Sequence, residues 1–193
     1  PVPTLAALTG LSPAAVDSAV EALVGDGLLT NDTAEALHPA VRHAVYYDMA
    51  AGQRRAAHRR LTDLADLSTF ERADHLAPLG DDLTDDDVAA LLTAAEIALG
   101  SDPAVVIRWL KPVPARLRME RLDVLLARAE VHHGRIADAI ARLRPLHEAA
   151  DHSDRSEADA SVLLAQALRM RGSLGEALDV LTDTGVHDHP ALL

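Results

Sequence analysis

The sequence predicts an all-α fold carrying one small β-hairpin. Three observations lead there. Hydrophobic residues fill 49% of the 193 positions but aromatics only 2%, so any core must be built from Ala, Leu and Val. Such a core suits closely packed helices, whereas strands favour aromatic and β-branched residues. Apolar residues recur at helical spacing through most of the chain. Towards the C-terminus, a block of helix, Gly-containing turn and helix occurs twice over.

The first elements read in order. "PTLAALTGLSPAAVDSAVEALVGDGLL" is helix, turn, helix. Ser12 is a good N-cap and Pro13 suits the first helical position. Val16, Ala19, Val20 and Leu23 then form one apolar stripe, and Gly25 and Gly27 end the helix. "LLT" and "EALH" flank an Asn31-Asp32 turn and read as two short strands. Pro39 opens a third helix whose stripe is Val41, Ala44, Val45 and Met49. Gly52 breaks it. A fourth helix, about 53–67, sets Ala57, Leu61 and Leu64 on one face and Arg54, Arg55, Arg59 and Arg60 on the other. Helix, turn, helix and hairpin together describe a winged helix over residues 1–68, without a leading helix.

Residues 69–193 read as helical pairs. "FERADHLAPLG" is a short helix, and Thr84 with Asp87 resembles a capping box before a helix at 85–99. Asp102-Pro103 opens the helix containing Trp109. "LLARAEVHHGRIADAIARL" (125–143) and "LLAQALRMRGSLGEALDVL" (163–181) align without gaps at a spacing of 38. Leu126/Leu164, Ala129/Ala167, Gly134/Gly172 and Ala139/Ala177 are among the shared positions. "LLTAAEIALGSDPAVVIRWL" (91–110) is a weaker copy, with Gly100 lying 34 before Gly134. This period in helical pairs points to a tetratricopeptide-like solenoid, whose units bury their apolar faces against neighbours.

Composition excludes several functions. Without Cys there is no disulfide, thiolate metal site or Cys nucleophile. The net charge of −12 opposes duplex DNA binding, which needs cations to displace the counterions of phosphates. The helix at 13–24 carries Asp17 and Glu21, and no Lys or Arg precedes Arg42, so direct nucleic-acid recognition is not expected. No apolar run reaches membrane-spanning length. The acidic stretch Asp81, Asp82, Asp85, Asp86 and Asp87 lacks the Gly and distant Glu of a calcium loop and reads as capping. His132, His133, His147, His152, His187 and His189 do not make a zinc pattern, so no metal is expected. No Ser nucleophile elbow is present. An enzyme is not expected. Pro1 in place of Met reads as a boundary within a longer protein.

Two features remain as candidate sites. His38 stands at a helix N-terminus. It either is structural, donating to a nearby carbonyl, or joins the free N–H groups and dipole in holding an anion. Arg54, Arg55, Arg59 and Arg60 form a cationic helix surface, either solvated or docked on an acidic partner.

The segments "LTGLSPAAVDSAVEALVGDGLL" and "LHPAVRHAVYYDMAAGQRRAAHRRL" resemble the winged-helix region of signal-transducing STAND-type ATPases. More narrowly they are similar to the large ATP-binding LuxR-family transcriptional regulators of high-GC bacteria, and "ERADHLA" with the Ala/Leu pairs fits the repeat region that follows. The resemblance implies an upstream P-loop ATPase core as partner and a DNA reader downstream. ATP or ADP would sit in that core, since this chain has no G-x-x-x-x-G-K-[ST] and its single Lys111 is not in a Gly-rich loop. It also implies that His38, at the end of the wing, touches the nucleotide's β-phosphate, although Pro39 replaces the Asp of many relatives. The expected function is a non-catalytic, cytoplasmic regulatory fragment. It would relay a protein or small-molecule effector on the repeats to the core through His38, Arg42, Arg54 and Arg55, with Arg59 in the docking surface. The alternative is a stand-alone adaptor that binds a peptide or helix in its groove.

Overall fold

The protein is known from a computed structural model, which describes residues 2–30, 38–63, 67–149 and 155–183. Among the described residues it is all-helical, with eleven α-helices. Leu29 carries a single β-bridge, and the second strand expected at 35–38 lies mainly outside the described residues. The chain divides into two compact units, Pro1–Asp82 and Leu83–Leu193. Among the described residues no single helix is long and apolar enough to cross a membrane.

In the first unit, α1 (Val2–Thr9) turns at Gly10 into α2 (Pro13–Gly25), capped by Ser12 as its sequence requires. Next come α3 (Pro39–Asp48), α4 (Ala51–Thr62), α5 (Thr69–Leu76) and a 3₁₀ segment, Ala77–Asp82. Ser68 and Glu71 close a capping box at α5, which holds the Glu71 carboxyl below its ordinary pKa through hydrogen bonds from the Ser68 side chain and backbone. This unit buries little apolar surface in its first four helices. Val16 is buried, but Val45 on the expected stripe of α3 is 61% exposed and Tyr47 beside it 62%. On α4, Ala57 and Leu61 of the expected apolar face are half-buried and Leu64 lies outside the described residues, while Arg54, Arg55, Arg59 and Arg60 bond within the unit. Helix α5, which the sequence grouped with the repeats, packs on α4.

The second unit is three helix pairs in series. They are α6 (Asp85–Ala98) with α7 (Pro103–Leu110), α8 (Glu120–His132) with α9 (Ile136–Ala149), and α10 (Arg155–Arg171) with α11 (Leu174–Asp183). Each helix packs on the next in order, and the first helices also meet directly, α6 against α8 and α8 against α10. Ala95, Ala98, Ala127, Ala129, Ala139, Ala165, Ala167 and Ala177 are all buried, small enough for close crossings. Trp109 is buried on α7. Gly134 and Gly172 occupy the same place in successive turns, with φ of 79° and 91°. No atom lies within 4 Å of a Cβ at either, so glycine is required there by backbone conformation alone. Gly100 lacks a positive φ; its turn is instead closed by Asp102, which accepts from the Val105 N–H and starts α7.

One charged cluster sits inside the second pair. Glu130 on α8 is 1% exposed, and both its oxygens accept from Arg142 on α9, at 3.1 and 3.0 Å. Arg142 also donates to Asp123 at 3.1 Å, and Asp123 accepts from Arg118 at 2.8 Å. Burial works against the charge on Arg142, but the hydrogen bonds and attraction of Glu130 and then Asp123 outweigh it and raise its pKa. Replacing one member strands a buried charge, whereas replacing the pair does not. Glu130→Leu alone is expected to lower unfolding stability in urea by about 3 kcal/mol. Adding Arg142→Met should recover most of the loss, since Asp123 keeps Arg118.

Candidate interaction site

His38 is exposed and forms the N-cap of α3, its Nδ1 accepting from the Ala40 N–H at 3.1 Å. The imidazole therefore satisfies a free donor of the helix terminus itself. With Nδ1 occupied as an acceptor, the neutral ring carries its proton on Nε2. Arg42 is exposed on α3 with no hydrogen bond or ion pair among the described residues. Arg54 donates to the Met49 carbonyl at the end of α3, and its guanidinium lies 5.5 and 5.8 Å from the ring centres of Tyr46 and Tyr47. It serves as a C-terminal cap and a cation–π contact together.

Arg55 and Arg59 converge on one residue. The Nε of Arg55 bonds the Asp82 carboxylate at 2.6 Å, and Arg59 donates to the Asp82 carbonyl at 2.7 Å. Arg60 turns towards α1 and donates to the Leu8 carbonyl at 2.6 Å. These three cations thus tie α4 to both ends of its unit.

A polar chain that the sequence did not signal runs through the same unit. The Tyr46 hydroxyl and His58 Nε2 are 2.9 Å apart, and His58 Nδ1 and His75 Nδ1 are 3.2 Å apart. The three side chains come from α3, α4 and α5, and no regular spacing links them. Between the two Nδ1 atoms there is room for one proton. Burial, then the repulsion of His75, lowers the His58 pKa from its ordinary 6.5.

In the second unit, a groove of about 460 Å³ runs along α6, α8 and α10, lined by Glu96, Leu99, Arg121, Val124, Leu125, Arg128 and Asp159. Arg121 is spent on Glu96, with contacts of 3.1 and 2.6 Å. Arg128 is half-buried and has no hydrogen bond or ion pair among the described residues. Apolar side chains flank an uncommitted guanidinium, which favours a ligand that offers a carboxylate beside apolar groups. The legible signal was an Arg embedded in the buried run "LLARAEV", at i+7 from Arg121. No group of three His, Asp or Glu side chains suited to a metal occurs among the described residues, and His152, His187 and His189 lie outside them.

Comparisons with protein-family models, with curated proteins and with solved structures give no match to this chain.

The histidine pair sets a pH dependence. The unfolded chain binds a proton at His58 near pH 6.5, the folded chain only at lower pH. Between those values the unfolded state holds more protons, so stability is complete above 6.5 and falls as the pH drops towards the folded value. Thermal melts followed by circular dichroism are expected to give a lower midpoint for the first unit at pH 5.5 than at pH 7.5. In His75→Asn, which removes the repulsion, that difference should shrink.

Proposed function

We propose that this chain is a non-catalytic interaction and regulatory module: a winged-helix-like unit followed by an arm of tetratricopeptide-like hairpins that receives a partner segment in the groove along α6, α8 and α10. The observation that carries the reading is Arg128. It is a half-buried cation with no counterion among the described residues, in a groove that Leu99, Val124 and Leu125 also line and that the first helices of all three pairs border. Holding a guanidinium in such a place without a partner is unfavourable, and a carboxylate arriving with apolar neighbours relieves it. The occupant is accordingly a peptide or protein segment that pairs Asp, Glu or a terminal carboxylate with Leu-like side chains.

The resemblance to the large ATP-binding LuxR-family regulators supplies a context for that arm. In such a cytoplasmic assembly, the nucleotide would be held by a separate P-loop core. The first unit would rest on that core, and binding in the arm would bias the contact between them. His38 suits the nucleotide end of the relay. Capping α3 through Nδ1 leaves Nε2–H as a donor for a β-phosphate oxygen, and Arg42 one turn on in α3 is a cation with no partner among the described residues. The groove also supports the simpler reading of a stand-alone adaptor, because partner recognition through Arg128 needs no ATPase.

Selection from a library of displayed twelve-residue peptides, run on the full chain, tests the groove. Enriched sequences are expected to carry Asp or Glu next to Leu or Ile. Their affinity should fall about tenfold for Arg128→Glu, equivalent to about 1.4 kcal/mol. Enrichment indifferent to that change would overturn the proposal. The relay is tested in a longer protein containing the ATPase core: His38→Ala should weaken ADP binding there, and unchanged affinity would leave the adaptor.

A further inference from the structure

The repeat makes the last helix pair comparable with the one before it, position by position. On α8 and α9, the residues Ala127, Val131, Ala139, Ile140 and Leu143 belong to one buried cluster, with Ile136 packed against it. The neighbouring helix α10 contributes Ala160, Leu163, Leu164, Ala167 and Leu168 to the same cluster. Thirty-eight residues further on, the counterparts of the first set are Ala165, Arg169, Ala177, Leu178, Leu181 and Leu174. All six line an apolar groove of about 200 Å³ between α10 and α11.

Ala165 and Ala177 are buried like their counterparts, but the larger side chains that rim the groove are not covered. Ile140 is 4% exposed under α10, while its counterpart Leu178 is 65% exposed. Leu174, the counterpart of Ile136, is 60% exposed. Leu174, Leu178 and Leu181 fall at i, i+4 and i+7, the stripe that a packing helix covers. One counterpart changes chemistry: Arg169 stands where Val131 stood, at the groove's edge, and its side chain has no ion pair or hydrogen bond among the described residues.

We propose that this groove is the docking face for the first helix of a further hairpin of the same repeat. The occupant is an Ala/Leu helix with the pattern of α10, bearing a carboxylate opposite Arg169. The argument is continuity with an existing interface, since the equivalent groove one repeat earlier is filled by just such a helix. In a solenoid, each added pair gains its stability from the neighbour it covers and returns stability to it. In the 38-residue register, the position equivalent to Arg155 is 193.

The test extends the full chain at position 193 with a copy of residues 155–183. In the copy, Glu replaces the residues copied from Leu174 and Leu178, which caps its outer face and distinguishes its peptides by mass. Amide exchange of α11 in the original chain is read by mass spectrometry, and helix content by circular dichroism. Helix content should rise by the added helices, and exchange of residues 174–183 should slow at least tenfold. Leu178→Glu in the original pair should abolish that slowing, while leaving the unextended chain as stable as before. Unchanged α11 exchange, an added segment without helix, or slowing that survives Leu178→Glu would each overturn the proposal. Sedimentation equilibrium of the unextended chain provides the remaining arm. A dimer abolished by Leu178→Glu would make a second copy the occupant and overturn the further hairpin.

Discussion

The second unit rests on the burial of α10. Seven of its apolar positions between Ala160 and Leu168 are buried, together with Ser161, so it is wrapped by neighbours on nearly every side. A helix of that composition would associate indiscriminately if left uncovered. It is covered because α8 and α9 present Ala127, Ile140 and Leu143 on one flank and α11 presents Ala177 and Val180 on another. Ser161 escapes the cost of an unpaired hydroxyl through His147, 2.9 Å away. Small alanines set the helix spacing, and that spacing fixes where side chains such as Arg128 emerge into the groove.

The first unit solves the same problem with different materials. It has few large apolar side chains to spend, and its helix ends are tied by arginines that donate to carbonyls. Arg54 reaches Met49, Arg59 reaches Asp82, Arg60 reaches Leu8, and Arg72 reaches Thr62. Hydrogen bonds to backbone carbonyls specify geometry well but contribute only modest net stability where water competes. A unit held this way is stiff in its connections and soft in its core. That combination suits a body that must rest on something else.

Much of the helical layout was legible because it depends on local chemistry. Ser12, Ser68, Thr84 and Asp102 cap the helices that follow them, and Gly134 and Gly172 turn between helices at the register the repeat demanded. What escaped was long-range. The stripe Val41, Ala44, Val45 and Met49 has helical period but no partner deep enough to bury it, since periodicity describes a face and not what covers it. The arginines of α4 read as solvated or as docked on an acidic partner, yet Arg54, Arg59 and Arg60 donate to carbonyls of their own unit and Arg55 to the Asp82 carboxylate. His58 and His75 meet only because α4 and α5 pack, and Glu130 finds Arg142 only across a turn. Arg128 was visible in the sequence, but that no described residue pairs with it is a property of the fold.

Serial stacking also dictates how the arm is lost. The middle pair packs on a neighbour on both sides, whereas among the described residues α11 packs on α10 alone. Wherever Leu174 and Leu178 are left uncovered, thermal fluctuation will loosen α11 before the middle pair. A protease would find that helix first, so whatever covers Leu174 and Leu178 would also set the protein's lifetime.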